Sequence, residues 1–138
     1  MNSNSVEYRE LSVISPEMTE EMTELYRQAG WLAPEESGAF IPRAMAGSTV
    51  ALGVFDGSRL IGMGRAVSDG VSDAYIQDIA VSPDYRKRGI GGEIVRHIVA
   101  ALRARGIDWI GLVGEPGTEH FYEELGFTRK PGYTLWKL

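Results

Sequence analysis

The order of segments in this 138-residue chain predicts one α/β layered domain spanning residues 1–138. Three observations carry that reading. Short β-rich runs alternate with segments whose apolar residues recur every three or four positions. The longest helical pattern, Gly89 to Gly106, follows a β-rich run through a turn built from Arg86, Lys87, Arg88 and a cluster of glycines. No repeat, low-complexity stretch or linker interrupts a composition, 43% hydrophobic and 24% charged, that is ordinary for a globular protein.

Taken in order, residues 1–5 are small and polar and read as a disordered terminus. "VEYREL" alternates apolar and polar residues and predicts a first strand. Ser15, Pro16 and Glu17 supply an N-cap, a first-turn proline and a first-turn carboxylate. Met18, Met22, Leu25, Tyr26 and Ala29 then keep helical spacing as far as Gly30. Phe40, Ile41, Ala44 and Met45 form one face of a short second helix with Pro42 in its first turn. "STVALGVF" and "RLIGMGRAV" read as a β-hairpin turning at Asp56-Gly57. "AYIQDIAV" predicts a long central strand. Ile90, Ile94, Ile98, Ala101 and Leu102 make the long helix amphipathic. "DWIGLV" is a short, nearly continuous apolar strand, "TEHFYEEL" a short helix closed by Gly126, and "YTLWKL" a terminal strand.

The formal net charge of −5 argues against nucleic acid or an anionic membrane as a partner, so any anion must be bound locally. The absence of cysteine excludes disulfides, thiolate metal sites and cysteine nucleophiles. "MNSNSVEYRE" lacks the features of a secretion signal and no apolar run reaches membrane-spanning length, so a cytoplasmic protein is expected. His97 and His120 stand without suitably spaced carboxylates, and no metal is expected.

The stretch after the central strand is the strongest chemical signal. A helix starting at Gly89 has unpaired N–H groups and the positive end of its dipole in its first turn, which favours an anion. Gly89, Gly91 and Gly92 keep side chains away from that point, while Arg86, Lys87 and Arg88 add charge beside it. The dinucleotide fingerprint fails, because Ile94 stands at its third glycine, and the nucleoside triphosphate loop fails for want of Gly-Lys followed by Ser or Thr. A phosphate or pyrophosphate of another kind remains, against the simpler alternative of an exposed basic turn before a core helix.

The run Arg86-Lys87-Arg88-Gly89-Ile90-Gly91 resembles motif A of the GNAT superfamily of acyl-CoA N-acyltransferases, and "HFYEELGF" resembles its motif B. Together the motifs cover roughly the C-terminal half, and "LYRQAGW" after the first helix is similar to small bacterial single-domain members. The resemblance implies a mixed twisted sheet of about six or seven strands flanked by about four helices, splayed beside the central strand. It implies acetyl-CoA as co-substrate in that gap, with Arg86, Lys87, Arg88, Gly89, Ile90, Gly91 and Gly92 on the pyrophosphate. Backbone groups of Ile79, Ala80 and Val81 would pair with the pantetheine arm like an added strand.

The same resemblance implies direct acetyl transfer to a primary amine. Tyr122 takes the place of the general acid beside the sulfur, with Phe121 next to it, and the Val81 N–H that of the oxyanion donor. The central-strand position that is glutamate in some members is Tyr75 here, which leaves Asp78 as the nearest carboxylate for a base. Strand alternation sets Asp78 opposite Tyr75, Gln77 and Ile79. Glu115 replaces the asparagine that often helps hold the cofactor and is expected, with Phe121 and Tyr122, among the cofactor-binding residues.

Trp31, Glu35 and Glu36, with Tyr75 and Gln77, are the expected acceptor-side residues; an aromatic wall with carboxylates suits an amine carrying an apolar body or a second positive charge. The alternatives are a non-catalytic acyl-CoA binding or sensing module and a protein lysine or N-terminal acetyltransferase. Homodimerisation through the terminal strand is common in the superfamily and is not legible in "YTLWKL" itself.

Overall fold

The computed structural model describes residues 6–138, so the polar stretch 1–5 lies outside the described residues. Five strands form one mixed sheet in the order β1-β2-β3-β4-β5: β1 Val6–Glu10, β2 Val50–Asp56, β3 Arg59–Ser68, β4 Asp73–Val81 and β5 Trp109–Leu112. Neighbours from β1 to β4 are antiparallel, and β5 runs parallel to β4. Helices α1 (Pro16–Gln28), α2 (Ile41–Ala46), α3 (Ile90–Ala104) and α4 (Glu119–Glu124) flank it.

Local chemistry sets the boundaries. The Ser15 hydroxyl accepts from the Met18 N–H at 3.1 Å and Pro16 opens α1, as a capped helix start requires. The β2–β3 turn consists of Gly57 and Ser58, because Asp56 pairs with Arg59; the expected Asp-Gly turn is thus one residue later, with only Gly57 of the two at positive φ (61°). Pro42 sits in the first turn of α2, where its missing N–H costs nothing, and Ile41 and Met45 are buried.

Side-chain alternation divides the core in two. Val50, Leu52 and Val54 face Ile90, Ile94, Ile98 and Leu102 of α3. Ala51 and Phe55 face Met22, Leu25 and Tyr26 of α1 with Ile41 and Met45 of α2. Both faces of β2 and β3 are therefore covered, which explains why those strands read as nearly continuous apolar runs. Gly64 lets the α3 layer close onto the sheet: a Cβ there would lie 2.6 Å from Ile79, 2.8 Å from Ile94 and 2.9 Å from Ile98. Gly64→Ala is expected to cost about 1–3 kcal/mol by overpacking, read as a lower urea midpoint at unchanged slope.

Two features of the sheet create the site. β5 pairs with β4 from Asp73 to Ile76, and that pairing ends at Leu112 while β4 continues to Val81. The strands therefore part beside Gln77–Val81. On its other side β4 carries a bulge: Met63 pairs with Ala80 and Arg65 with Gln77, so two residues of β4, Asp78 and Ile79, oppose Gly64 alone. Asp78 takes φ 59° to make it.

The expected terminal strand does not form. Residues 133–138 have no sheet partner, and Trp136 is 87% exposed. An alternating apolar pattern is a strand only where an edge receives it, so among the described residues the sheet has five strands rather than six or seven. No helix among the described residues is long and apolar enough to cross a membrane.

Candidate active site

The bulge changes which way β4 side chains point. Ala74 and Ile76 pack in the α3 layer, and so do Ile79 and Val81, whereas Ala80 packs in the α1 layer. Asp78 therefore does not lie opposite Tyr75 and Gln77, as unbroken alternation requires; it joins them on the α1 side. There the Tyr26 hydroxyl donates to Asp78 Oδ2 at 2.6 Å and Arg65 Nε–H donates to the same oxygen at 2.7 Å. Arg65 also donates to Gln77 Oε1 at 3.0 Å, which fixes the neighbouring side chain.

Tyr75, Ile76, Gln77 and Asp78 of β4 line an open cleft of about 270 Å³ at the point where β4 and β5 part. Trp31 comes to it from the loop after α1, Leu112 and Val113 from the end of β5, and Glu115 from the loop that follows. Trp31 Nε1–H donates to Glu115 Oε1 at 2.9 Å, closing one end of the cleft across 84 positions of sequence. Glu35 and Glu36 do not line it. Glu36 turns back on its own loop, its carboxylate accepting from the Ala33 N–H at 2.7 Å and its carbonyl from Arg27.

Burial raises the pKa of Tyr26, with the hydrogen bond to Asp78 adding to it. Such a group contributes stability that is fully present below its unfolded pKa of 10.0 and is lost as pH rises above it. Urea midpoints should fall from about pH 9 to about pH 11, and Tyr26→Phe should flatten that fall while costing about 1 kcal/mol at neutral pH.

The other mouth of the gap is the β4–α3 junction. The Ser82 N–H donates to the Ile61 carbonyl on β3, so alternation turns the Val81 N–H and C=O the other way, toward the gap. Arg86 Nε–H donates to the Val81 carbonyl at 3.2 Å and holds the loop against the strand. Lys87 (φ 62°) and Gly89 (φ 77°) bring the chain round so that α3 starts at Ile90. The first helical bond runs from the Glu93 N–H to the Gly89 carbonyl. The N–H groups of Ile90, Gly91 and Gly92 are thus the free donors of the first turn. Arg86, Lys87 and Arg88 are exposed around them, with Arg88 lying 5.1 Å over the Tyr85 ring. The Tyr85 hydroxyl is anchored in turn on Asp56.

α4 supplies the third side. Phe121 packs against Gly91, where a Cβ would lie 3.5 Å from its ring, an ordinary contact. The Gly89 conformation is the one a side chain would strain. Tyr122 is half-buried between Phe121 and Phe127, at 4.9 and 5.9 Å between ring centroids. Burial first, and the Glu115 carboxylate second, raise the pKa of its phenol. It is a protonated hydroxyl at neutral pH.

The two histidines lie apart from all of this. His97 stacks on Tyr8 with its Nδ1 at 2.8 Å from the Glu93 carbonyl, and His120 pairs with Glu124 on the exposed face of α4. Among the described residues no three His, Asp or Glu side chains are grouped to hold a metal ion. The Tyr26–Asp78–Arg65 set was not visible in the sequence. Its one trace is the apolar spacing of "AYIQDIAV", which steps by two from Ala74 to Ile76 and from Ile79 to Val81 but by three between Ile76 and Ile79.

Known proteins match this chain along most of its length. The profile of the acetyltransferase (GNAT) family covers residues 8–127. An uncharacterized ycf52-like N-acetyltransferase of Prochlorococcus marinus is 30% identical over 115 residues, 80% of this chain and 63% of that protein. The serotonin N-acetyltransferase 2, chloroplastic, of Oryza sativa is 37% identical over 73 residues, 53% of this chain and 36% of that one. The chain thus spans less than two thirds of the length of these curated relatives. A GNAT family acetyltransferase from Streptococcus pneumoniae superposes with a TM-score of 0.77 at 22% identity, over 96% of this chain and 98% of the other. With a gap between β4 and β5, a glycine turn at the head of α3 and a profile match over nearly its whole length, the chain belongs to the GNAT acetyltransferase family.

Proposed function

We propose that the protein transfers the acetyl group of acetyl-CoA to the primary amine of a small molecule. The observation that carries this reading is the gap beside Gln77–Val81, open at one end to the free donors of α3 and at the other to the cleft of Trp31, Tyr75, Gln77 and Asp78. The donor set fits acetyl-CoA. Helix N–H groups at Ile90, Gly91 and Gly92 with three flanking cations suit a pyrophosphate. The unpaired edge at Ile79, Ala80 and Val81 suits the amide-bearing pantetheine arm.

In this reading the Val81 N–H steadies the charge that develops on the acetyl oxygen, and Tyr122 protonates the departing sulfur. A phenol whose pKa is raised holds its proton until that moment. The aromatic and acidic lining of the cleft favours a cationic amine with an apolar body. A relative that carries serotonin in its name supports the small-molecule class.

The test is thiol release from acetyl-CoA with 2-phenylethylamine, spermidine, glucosamine and a lysine-containing peptide as acceptors. Turnover with one or more of the small amines supports the proposal. Turnover with the peptide alone would make the protein a lysine acetyltransferase, and binding of acetyl-CoA without any turnover would make it a sensing module.

A further inference from the structure

We propose that Glu115 is the general base of the reaction, receiving the proton that the acceptor ammonium must lose. This inference rests on the amine acetylation proposed above. An alkylamine is almost wholly protonated at neutral pH and attacks a carbonyl only after losing a proton. The cleft holds two carboxylates, Asp78 and Glu115, and they differ in what already binds them.

Asp78 Oδ2 accepts from both Tyr26 and Arg65, and the Arg65 guanidinium neutralises its charge at 2.7 Å. A carboxylate so satisfied is a poor proton acceptor and works better as a support for the bulge. Glu115 has no cation within salt-bridge distance among the described residues. One of its oxygens is aimed by Trp31 Nε1–H, and that hydrogen bond leaves Oε2 for an ammonium in the cleft.

Its position also links the two proton transfers. The preceding residue, Gly114, lies against the Tyr122 ring, where a Cβ would stand 3.6 Å from the ring edge. The Glu115 charge reaches the Tyr122 phenol and helps keep it protonated. The charged and titratable groups around Glu115 and the cleft are Asp78 with Arg65 and Tyr26 behind it, Tyr75 on β4 and Tyr122 on α4.

The ammonium gives one proton to Oε2 of Glu115, an exposed residue that passes it to water. The neutral nitrogen forms the C–N bond to the acetyl carbon and the C–S bond breaks. The second nitrogen proton leaves as that bond forms and restores the one Tyr122 gives to sulfur. Amine cation and thioester become amide, thiol and one free proton.

Glu115→Gln tests this, because the amide oxygen still accepts from Trp31 while the charge is gone. Acetylation of 2-phenylethylamine, spermidine and glucosamine should show kcat/KM reduced about 100-fold near neutral pH. The deficit should shrink as pH rises toward the amine pKa, where the acceptor arrives neutral. Acetyl-CoA affinity should stay within about twofold, and Glu115→Asp, which keeps the charge, should recover part of the rate. Wild-type kcat/KM in Glu115→Gln across the pH range overturns the assignment alone, as does a selective loss of acetyl-CoA affinity, which would make Glu115 a cofactor ligand. Wild-type protein inactive with all three amines overturns both this inference and the acetylation reading beneath it.

Discussion

Tyr122→Phe is expected to lower kcat by about 10²- to 10⁴-fold while leaving acetyl-CoA affinity unchanged. The ring is held by Phe121 and Phe127 through edge contacts that phenylalanine retains, so the substitution removes one hydroxyl and little packing. On the proposed mechanism, what is lost is the proton given to sulfur. Burial and the Glu115 charge raise the pKa of the phenol, so the wild-type group stays protonated past the ordinary tyrosine value. Steady-state kinetics across pH should show an alkaline decline in the wild type that the variant lacks, and full activity in Tyr122→Phe would remove the residue from the chemistry.

The second large effect is expected at the head of α3. Reversing Arg86 and Arg88 together to glutamate should weaken acetyl-CoA binding on the order of 100-fold, since each reversed surface charge beside a pyrophosphate is worth about 1–2 kcal/mol. Both side chains are exposed, so thermal stability should change little. Arg86 also donates to the Val81 carbonyl, which makes it the more sensitive of the two. Calorimetric titration at two salt concentrations checks the origin of the effect: wild-type affinity should fall with salt more steeply than that of the double variant.

Much of the architecture was legible because it rests on local signals. Ser15-Pro16, the apolar stripe of α3 and the glycines around it each specify a boundary or a face without knowledge of the rest of the chain. The bulge was harder. Asp is one of the few residues that tolerates φ 59°, and the three-residue step between Ile76 and Ile79 marks the phase change, but alternation carried across it puts Asp78 on the wrong side. The terminal pattern from Tyr133 promised a strand because a pattern describes a face and says nothing of whether a partner edge lies beside it. Trp31 and Glu115 each pointed to the site for separate reasons; their hydrogen bond depends on tertiary closure that no local rule anticipates. Glu36 shows the reverse, a carboxylate in a promising loop that satisfies its own backbone.

In the function proposed, the donors at the head of α3 hold the pyrophosphate of acetyl-CoA while the gap beside β4 receives the pantetheine arm. Calorimetric titration of the wild-type protein with acetyl-CoA and, separately, with S-acetylpantetheine tests it most directly. Micromolar-range binding of acetyl-CoA, weakened by about two orders of magnitude or more when the nucleotide is absent, is the predicted result. Equal affinity for the two ligands, or binding of neither, would contradict it.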